Sequence, residues 1–213
     1  MPTLSHTRAS RISSAERLQK LTDRQTIVLP GDLRENRIHH QAARRAVDLG
    51  LLTKPARGLY LTSTGPLDFE QALLIACRRV PHGVVCLESA LRFHGVLDSN
   101  FDAIWMAIDR KARKPQVKGL RLHIVRFSGD ALTQGVVNTR IDGIPVRVYS
   151  VAKTVADSFK YRNKIGVETA VRSFRESFRQ RRCSWERVQH FARICRVSRI
   201  LNSRLYSELN AHL

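Results

Sequence analysis

An amphipathic helix that ends at a glycine constrains the fold more than any other feature of the chain. The spacing of apolar residues predicts a helix over Arg37–Leu49, with small apolar side chains on one face and Gln and Arg on the opposite face. Gly50 follows at the position where a left-handed glycine commonly ends a helix. The polar face is therefore left for solvent or for a ligand.

A short hairpin is predicted directly after this helix. The apolar runs Leu51–Thr53 and Gly58–Thr62 flank a tip that starts at Lys54 and ends at Arg57. Upstream, Ser14–Arg24 has the pattern of a first helix, and the sequence from Pro30 has that of a second helix start. Three helices followed by a hairpin predict a winged helix-turn-helix over residues 14–62, after a flexible basic arm over residues 1–13.

This geometry predicts binding to double-stranded DNA, with the third helix in the major groove and the hairpin on the adjacent backbone. Glutamine can bond adenine and arginine can bond guanine through two hydrogen bonds each, so the base-contact candidates are Gln41, Arg44 and Arg45. The phosphate-contact candidates in this segment are Arg37, His39, His40, Lys54 and Arg57. The alternative interpretation is a small helical domain for protein contacts, with a merely solvated arginine face.

The net charge of +19 is consistent with a polyanionic partner. A GC-rich genome would also favour arginine, and the chain has 29 Arg against 8 Lys. The charge is densest in residues 161–213, which carry 12 basic and 4 acidic side chains together with regularly spaced apolar residues. Beyond residue 63, we predict phosphate contacts that do not depend on the DNA sequence. The candidates are Lys111, Arg113, Lys114, Arg172, Arg175, Arg179, Arg181 and Arg182.

The run Thr62–Pro66 favours a linker, and residues 63–213 are predicted to form a second, α+β domain. We expect a small antiparallel sheet, with Asp142-Gly143 at a hairpin turn, and a helical C-terminal segment. The predicted strands are Ala103–Ile108, Leu120–Phe127, Val136–Arg140 and Ile144–Tyr149. The predicted helices are Asp68–Val80, Val84–Gly95, Val151–Lys160, Gly166–Arg179, Ser184–Cys195 and Ser198–Asn210.

Cysteine usage and the N-terminus favour a cytoplasmic protein. The four cysteines (Cys77, Cys86, Cys183 and Cys195) form no metal-binding pattern and are predicted to be buried free thiols. The N-terminus shows no secretory signal, and no apolar run approaches the roughly 20 residues of a membrane helix. We expect no metal, no cofactor and no membrane partner.

An enzyme is not expected, because the chain lacks the phosphate-loop, dinucleotide, nucleophile-elbow and zinc-protease motifs. A metal-dependent nuclease built on Glu88, Asp102 and Lys111 is a weaker alternative. RNA binding is weaker too, because aromatic residues do not alternate with basic ones on recognisable strands.

Three ordered segments resemble the AbiEi family, the antitoxins of abortive-infection (AbiE-type) toxin–antitoxin systems. These segments are Arg57-Gly58-Leu59-Tyr60, Ser89–Val96 (SALRFHGV) and Gly143–Asp157 (GIPVRVYSVAKTVAD). Lys153 stands where the family commonly has Arg. Together the segments fall within residues 15–160, and the last helices are similar only in being helical.

The resemblance implies a repressor that binds the operator of its own operon through the winged domain and counteracts a nucleotidyltransferase toxin, without a need for a stable complex. The alternative is a protein-binding antitoxin or scaffold whose basic surface contacts an acidic toxin. The shared residues are interpreted as structural. Gly58 permits a left-handed turn, Tyr60 packs the hairpin, and Ser150 caps a helix. His94, before Gly95, is expected to be a buried helix-end histidine, and Asp157 to face solvent or form an ion pair.

Overall fold

The computed structural model describes residues 13–62, 67–98 and 102–203. The chain divides into two compact units, Met1–Asp68 and Phe69–Leu213. Residues 1–12 of the predicted arm, most of the predicted linker and the end of the last predicted helix lie outside the described residues. Ser13, the last residue of the predicted arm, is the N-cap of the first helix: its Oγ accepts from the Glu16 N–H, and the Glu16 carboxylate accepts from the Ser13 N–H.

The first unit contains three helices and a three-stranded antiparallel sheet in the order β1-β3-β2. The elements are α1 Ser14–Thr22, β1 Ile27–Val28, α2 Pro30–Glu35, α3 His40–Asp48, β2 Thr53–Ala56 and β3 Leu59–Leu61. One core joins the helices to the sheet, with Leu18 from α1, Leu33 from α2, Ala43 from α3 and Tyr60 from β3. Burying these apolar side chains fixes the orientation of α3 within the unit.

Two boundaries in this unit differ from the sequence prediction. Helix α3 begins at His40 rather than at Arg37, because the backbone of Arg37 is left-handed (φ 53°). The hairpin turn lies at Arg57 and Gly58, with φ 70° at the glycine, so Lys54 belongs to β2 rather than to the tip. The predicted glycine turns, at Gly50 and Gly58, and the predicted helix starts at Ser14 and Pro30 are confirmed.

The second unit is a mixed α+β structure around a five-stranded sheet in the order β6-β5-β4-β8-β7. Its strands are β4 Val84–Val85, β5 Ile104–Asp109, β6 Leu122–Phe127, β7 Val136–Ile141 and β8 Ile144–Tyr149. Its helices are α4 Phe69–Arg79, α5 Leu87–Phe93, α6 Asp130–Thr133, α7 Val151–Lys160, α8 Arg162–Ile165, α9 Val167–Arg179 and α10 Trp185–Ile194; residues 198–203 are also helical.

The prediction of an antiparallel sheet is wrong, because β5 pairs in parallel with β6, and β4 in parallel with β8. The connection between β5 and β6 spans residues 110–121, about the dozen residues that a parallel crossover requires. The predicted helix over Val84–Gly95 is also partly wrong. Val84 and Val85 form β4 at the centre of the sheet, and only the following residues are helical.

Helix α7 is the central helix of the second unit. All residues from Val151 to Phe159 are buried, and α5, α9 and α10 pack against it. The Ser150 hydroxyl accepts from the Lys153 N–H at 3.4 Å, which confirms the predicted N-cap. Helices α9 and α10 therefore complete the core around α7.

Lys153 and Asp157 form a fully buried ion pair on α7, with Nζ and Oδ2 2.5 Å apart. Lys153 Nζ also lies over the rings of Tyr149 (4.1 Å to the centroid) and Phe127 (4.4 Å), and the Cys195 thiol donates to Asp157 Oδ1 at 3.1 Å. The ion pair predicted for Asp157 is present, and the alternative of a solvent-facing side chain is wrong. Burial raises the pKa of Asp157, and Lys153 opposes that shift.

All four cysteines are free thiols. Cys77, Cys86 and Cys195 are buried, whereas Cys183 is only half-buried, so its predicted full burial is wrong. Within the described ranges, no helix combines the length and the apolar character needed to cross a membrane.

Arginine occupies the left-handed position just after three helices. Arg37 follows α2, Arg181 follows α9 and Arg196 follows α10, with φ between 53° and 58°. Each end has the paired hydrogen bonds of a Schellman motif, for example from Val197 N to Ala192 O at 2.8 Å after α10.

Candidate nucleic-acid interface

Helix α3 presents its polar face to solvent. Ala43 and Ala46 are buried in the core, whereas Gln41, Arg44 and Arg45 are exposed. At about 100° per residue, these three side chains span about 100° of the helix surface. The structure thus brings the predicted base-contact residues together on one face.

The two histidines predicted as phosphate contacts lie at the start of α3. His39 is the N-cap, and its Nδ1 accepts from the Gln41 N–H at 3.4 Å. The His39 and His40 rings lie 4.9 Å apart, and both side chains are exposed. His39 therefore helps to begin the helix, whatever else it contacts.

The hairpin carries two exposed cations. Lys54 Nζ lies 5.5 Å from the centroid of the Tyr60 ring, and Tyr60 is 9% exposed within the core. Arg57 lies in the turn beside Gly58. The packing role predicted for Tyr60 is confirmed, and the ring also supports the lysine through a cation–π contact.

The cations of α3 and the hairpin lie apart from the carboxylates of the described residues. Among the described residues, no Asp or Glu oxygen lies within 4.0 Å of the charged nitrogens of Arg37, Arg44, Arg45, Lys54 or Arg57. Arg37 lies in the turn between α2 and α3 and not on the helix, and its carbonyl accepts from Arg17 Nη1 at 3.2 Å. The positive charge of this surface is thus available to a ligand.

A groove of about 780 Å³ lies between α1 and α3. Gln41 and Arg45 line it together with apolar residues, and Leu49 and Leu51 are 73% and 62% exposed. The same helix therefore offers a polar surface and an apolar one.

The residues of the second unit that are predicted to contact phosphates are exposed, but two of them already bond to other groups of the protein. Lys111, Arg113 and Lys114 lie on the connection between β5 and β6, whose Lys111 N–H donates to Asp109 Oδ1 at 2.8 Å. Arg172, Arg175 and Arg181 are exposed on or just after α9. In contrast, Arg179 pairs with Glu176 at 2.6 Å, and Arg182 donates to the His94 carbonyl.

His94 caps the end of α5 and is half-buried rather than buried. Its Nε2 lies 2.8 Å from the Tyr149 carbonyl oxygen, and desolvation lowers the pKa of the imidazole. Gly95 follows with φ 67°. The shared segment Ser89–Val96 is thus anchored to the end of β8 through its histidine.

The residues considered for a nuclease have other partners. Asp102 pairs with Arg121 at 3.0 Å, and the Glu88 carboxylate is hydrogen-bonded to Trp105. The pKa of Glu88 is raised by burial. Within residues 13–62, 67–98 and 102–203, no group of three or more His, Cys, Asp or Glu side chains is arranged to hold a metal ion.

Comparison with known proteins finds a similarity of fold. No family model and no curated protein matches the sequence. Among solved structures, the crystal structure of the RV2827C protein from Mycobacterium tuberculosis is similar, with a TM-score of 0.53 and 19% sequence identity. The match covers 85% of this chain and 72% of that one, and at this identity it supports a shared α+β fold.

Proposed function

We propose that this protein is a sequence-specific repressor that binds double-stranded DNA in the cytoplasm through a winged helix-turn-helix formed by its first unit. The observation that carries the proposal is the exposed face of α3, where Gln41, Arg44 and Arg45 lie outside the core and have no carboxylate partner among the residues that the structure describes. The element order of three helices and a hairpin supports it, because this order presents the third helix to the major groove.

The resemblance to AbiEi proteins suggests the biological setting. In this proposal the protein is the antitoxin of an AbiE-type system, represses its own operon and counteracts a nucleotidyltransferase toxin. No catalytic residue is assigned to it. Gly58, Tyr60, His94 and Ser150 hold turns, packing or helix ends, which supports a structural interpretation of the shared segments.

The direct test is operator binding by a charge-reversal variant, Arg44→Glu with Arg45→Glu. Each bidentate arginine–guanine contact contributes about 1–3 kcal/mol of discrimination, so the variant should lose specific binding by about 100-fold or more. The measurement is a gel shift or fluorescence anisotropy titration on DNA from upstream of the gene, with unrelated DNA as competitor.

A matched control is Lys20→Glu with Arg24→Glu, which makes the same change in net charge at exposed positions on and just after α1. It should weaken binding to all DNA sequences slightly and keep the preference for the operator. Sequence-specific binding that survives in the α3 variant would refute the assignment of α3 as the recognition helix.

A second candidate function is capture of a protein partner, and the exposed Leu49 and Leu51 beside the α1–α3 groove favour it. Under this alternative, Leu49→Ser with Leu51→Ser would release a toxin encoded beside the gene in a pull-down. Operator binding would then be weak or absent in the unmodified protein.

A further inference from the structure

A basic cleft in the second unit collects residues from four separate parts of the sequence. Its volume is about 680 Å³, and it is bordered by the ends of β5 and β6, the C-terminal end of α7 and the segment after α10. Four cationic side chains line it, Arg110, Arg126, Lys160 and Arg196. Of these, none was predicted as a site residue from the sequence.

The charge in the cleft is not balanced by nearby carboxylates. Asp130 is the one acidic residue among those that line it. Among the residues that the structure describes, no carboxylate oxygen lies within 4.0 Å of the four cationic groups. Like charges gathered in a concave surface focus the potential, so the cleft favours a multiply charged anion.

Part of this arrangement is held in place before any ligand binds. Arg126 Nη1 donates to the carbonyl oxygens of Asp109 (3.2 Å), Arg110 (2.7 Å) and Ala112 (2.8 Å). The Tyr161 hydroxyl donates to the Arg126 carbonyl at 2.9 Å. Within the described part of the chain, the Nε and Nη2 groups of Arg126 make no hydrogen bond, which leaves their donors for a ligand.

The cleft also has an apolar side. Ala131 and Ile194, both partly exposed, contribute to its lining, whereas the Phe127 ring is only 3% exposed and lies behind them, with Lys160 Nζ 5.2 Å from its centroid. Lys153 contacts the same ring at 4.4 Å but is neutralised by Asp157, whereas Lys160 has no carboxylate within 4.0 Å among the described residues. A ligand with an anionic part and an apolar part matches both sides.

We propose that this cleft binds the polyphosphate group of a nucleoside di- or triphosphate. Arginine and lysine donors suit phosphate oxygens, and the volume falls within the roughly 300–1,000 Å³ typical of small-molecule sites. Four cations against one carboxylate complement a ligand of about three or four negative charges. A concave site also suits a compact mononucleotide better than the convex backbone of duplex DNA. The assignment is independent of the proposed function of α3.

The test compares the full-length protein with the variant Arg110→Gln/Arg196→Asn by isothermal titration calorimetry, using ATP, ADP, inorganic tripolyphosphate and duplex DNA as separate titrants. Both side chains are exposed, and Asn tolerates the left-handed backbone of position 196. Losing two charge-assisted contacts should weaken ATP and ADP binding at least about tenfold. The control Arg187→Gln/Arg193→Gln removes two exposed arginines of α10 outside the cleft lining and should change the affinity less than about twofold.

Four results would overturn the proposal. These are no ATP binding at millimolar concentration, equal ATP affinity in the cleft variant, equal affinity for tripolyphosphate and ATP, or displacement of ATP by duplex DNA together with weaker DNA binding by the cleft variant. Thermal unfolding of each variant verifies the fold. Unchanged operator binding by the cleft variant would separate this site from α3, and a failure of the α3 test would leave the nucleotide titration unaffected.

Discussion

Helices α3 and α7 have similar lengths and both carry charged residues, yet they use them in opposite ways. The arginines of α3 lie in solvent with no carboxylate partner in the described part of the chain, whereas Lys153 and Asp157 of α7 are completely buried and bonded to each other. The difference arises from packing: α7 has helices α5, α9 and α10 around it and the aromatic rings of the sheet beside it. Charge on α3 is therefore available for binding, whereas the Lys153–Asp157 pair of α7 is part of the core.

The largest expected effect is the loss of one partner of the buried pair. Lys153→Met leaves the Asp157 carboxylate buried without its cation, which should lower the free energy of unfolding by about 3–5 kcal/mol. Lys153→Met with Asp157→Leu removes both charges and should recover most of that loss. Urea denaturation of the two variants measures the difference.

The exposed pair Glu176–Arg179 provides the control for this experiment. Arg179→Met removes an ion pair of similar length on a solvated surface, and the free energy of unfolding should stay close to that of the unmodified protein. If Lys153→Met were equally mild, the buried pair would not be a structural element of the core.

The next effect concerns two glycines with similar φ, Gly50 after α3 (73°) and Gly135 before β7 (78°). A Cβ at Gly135 would lie 2.8 Å from Lys153 Cβ and 2.9 Å from Phe191 Cε1, whereas one at Gly50 meets no atom within 4 Å. Both have positive φ, so alanine costs about 1–2 kcal/mol at either position through backbone strain.

Overpacking adds about 1–3 kcal/mol at Gly135 alone. Gly135→Ala should therefore lower the melting temperature clearly more than Gly50→Ala in parallel thermal unfolding experiments. Equal shifts would mean that the approach of Gly135 to α7 is looser than the structure indicates.

The smallest effect is the pH dependence from His94. Because burial lowers its pKa in the folded protein, the imidazole contributes stability that is present above the unfolded-state pKa of about 6.5 and is lost as pH falls through that value. The free energy of unfolding should decline below about pH 6.5 more in the unmodified protein than in His94→Gln.

His190→Gln is the matched control, because His190 is exposed on α10. Its pH profile should follow that of the unmodified protein. Superimposable profiles for His94→Gln and the unmodified protein would contradict the role assigned to burial at His94.

Local signals predicted much of this structure. The Ser150 cap, the glycine turns after α3 and in the hairpin, and the mixed α+β character follow from residues close in sequence. Strand direction in the second unit does not follow from such local signals. The parallel pairing of β5 and β6 depends on how a connection of about a dozen residues returns the chain. The start of α3 was predicted at Arg37, before its true start. Arginine is uncommon at a left-handed position, and the sequence alone does not show that Arg37 has such a backbone.

The two candidate sites, the α3 face and the cleft, also differ in how far the sequence predicts them. The polar face of α3 could be read from helical spacing, because all its residues belong to one element. The cleft could not, because Arg110, Arg126 and Arg196 lie far apart in the sequence and share no motif. The Lys153–Asp157 pair has the four-residue spacing of an ordinary helix-surface pair, and only the surrounding helices make it internal.

The arginines that follow α2, α9 and α10 bear on the origin of the unusual charge of this chain. A cation beside the carbonyl end of a helix gains about 0.3–1 kcal/mol from the helix dipole, which offsets only part of the roughly 1–2 kcal/mol of strain that glycine would avoid there. Arg37, Arg181 and Arg196 thus add three positive charges at positions where the backbone alone favours glycine. Glycine at these positions would make the protein less basic without requiring a different chain path, so these three charges are present despite the local backbone preference.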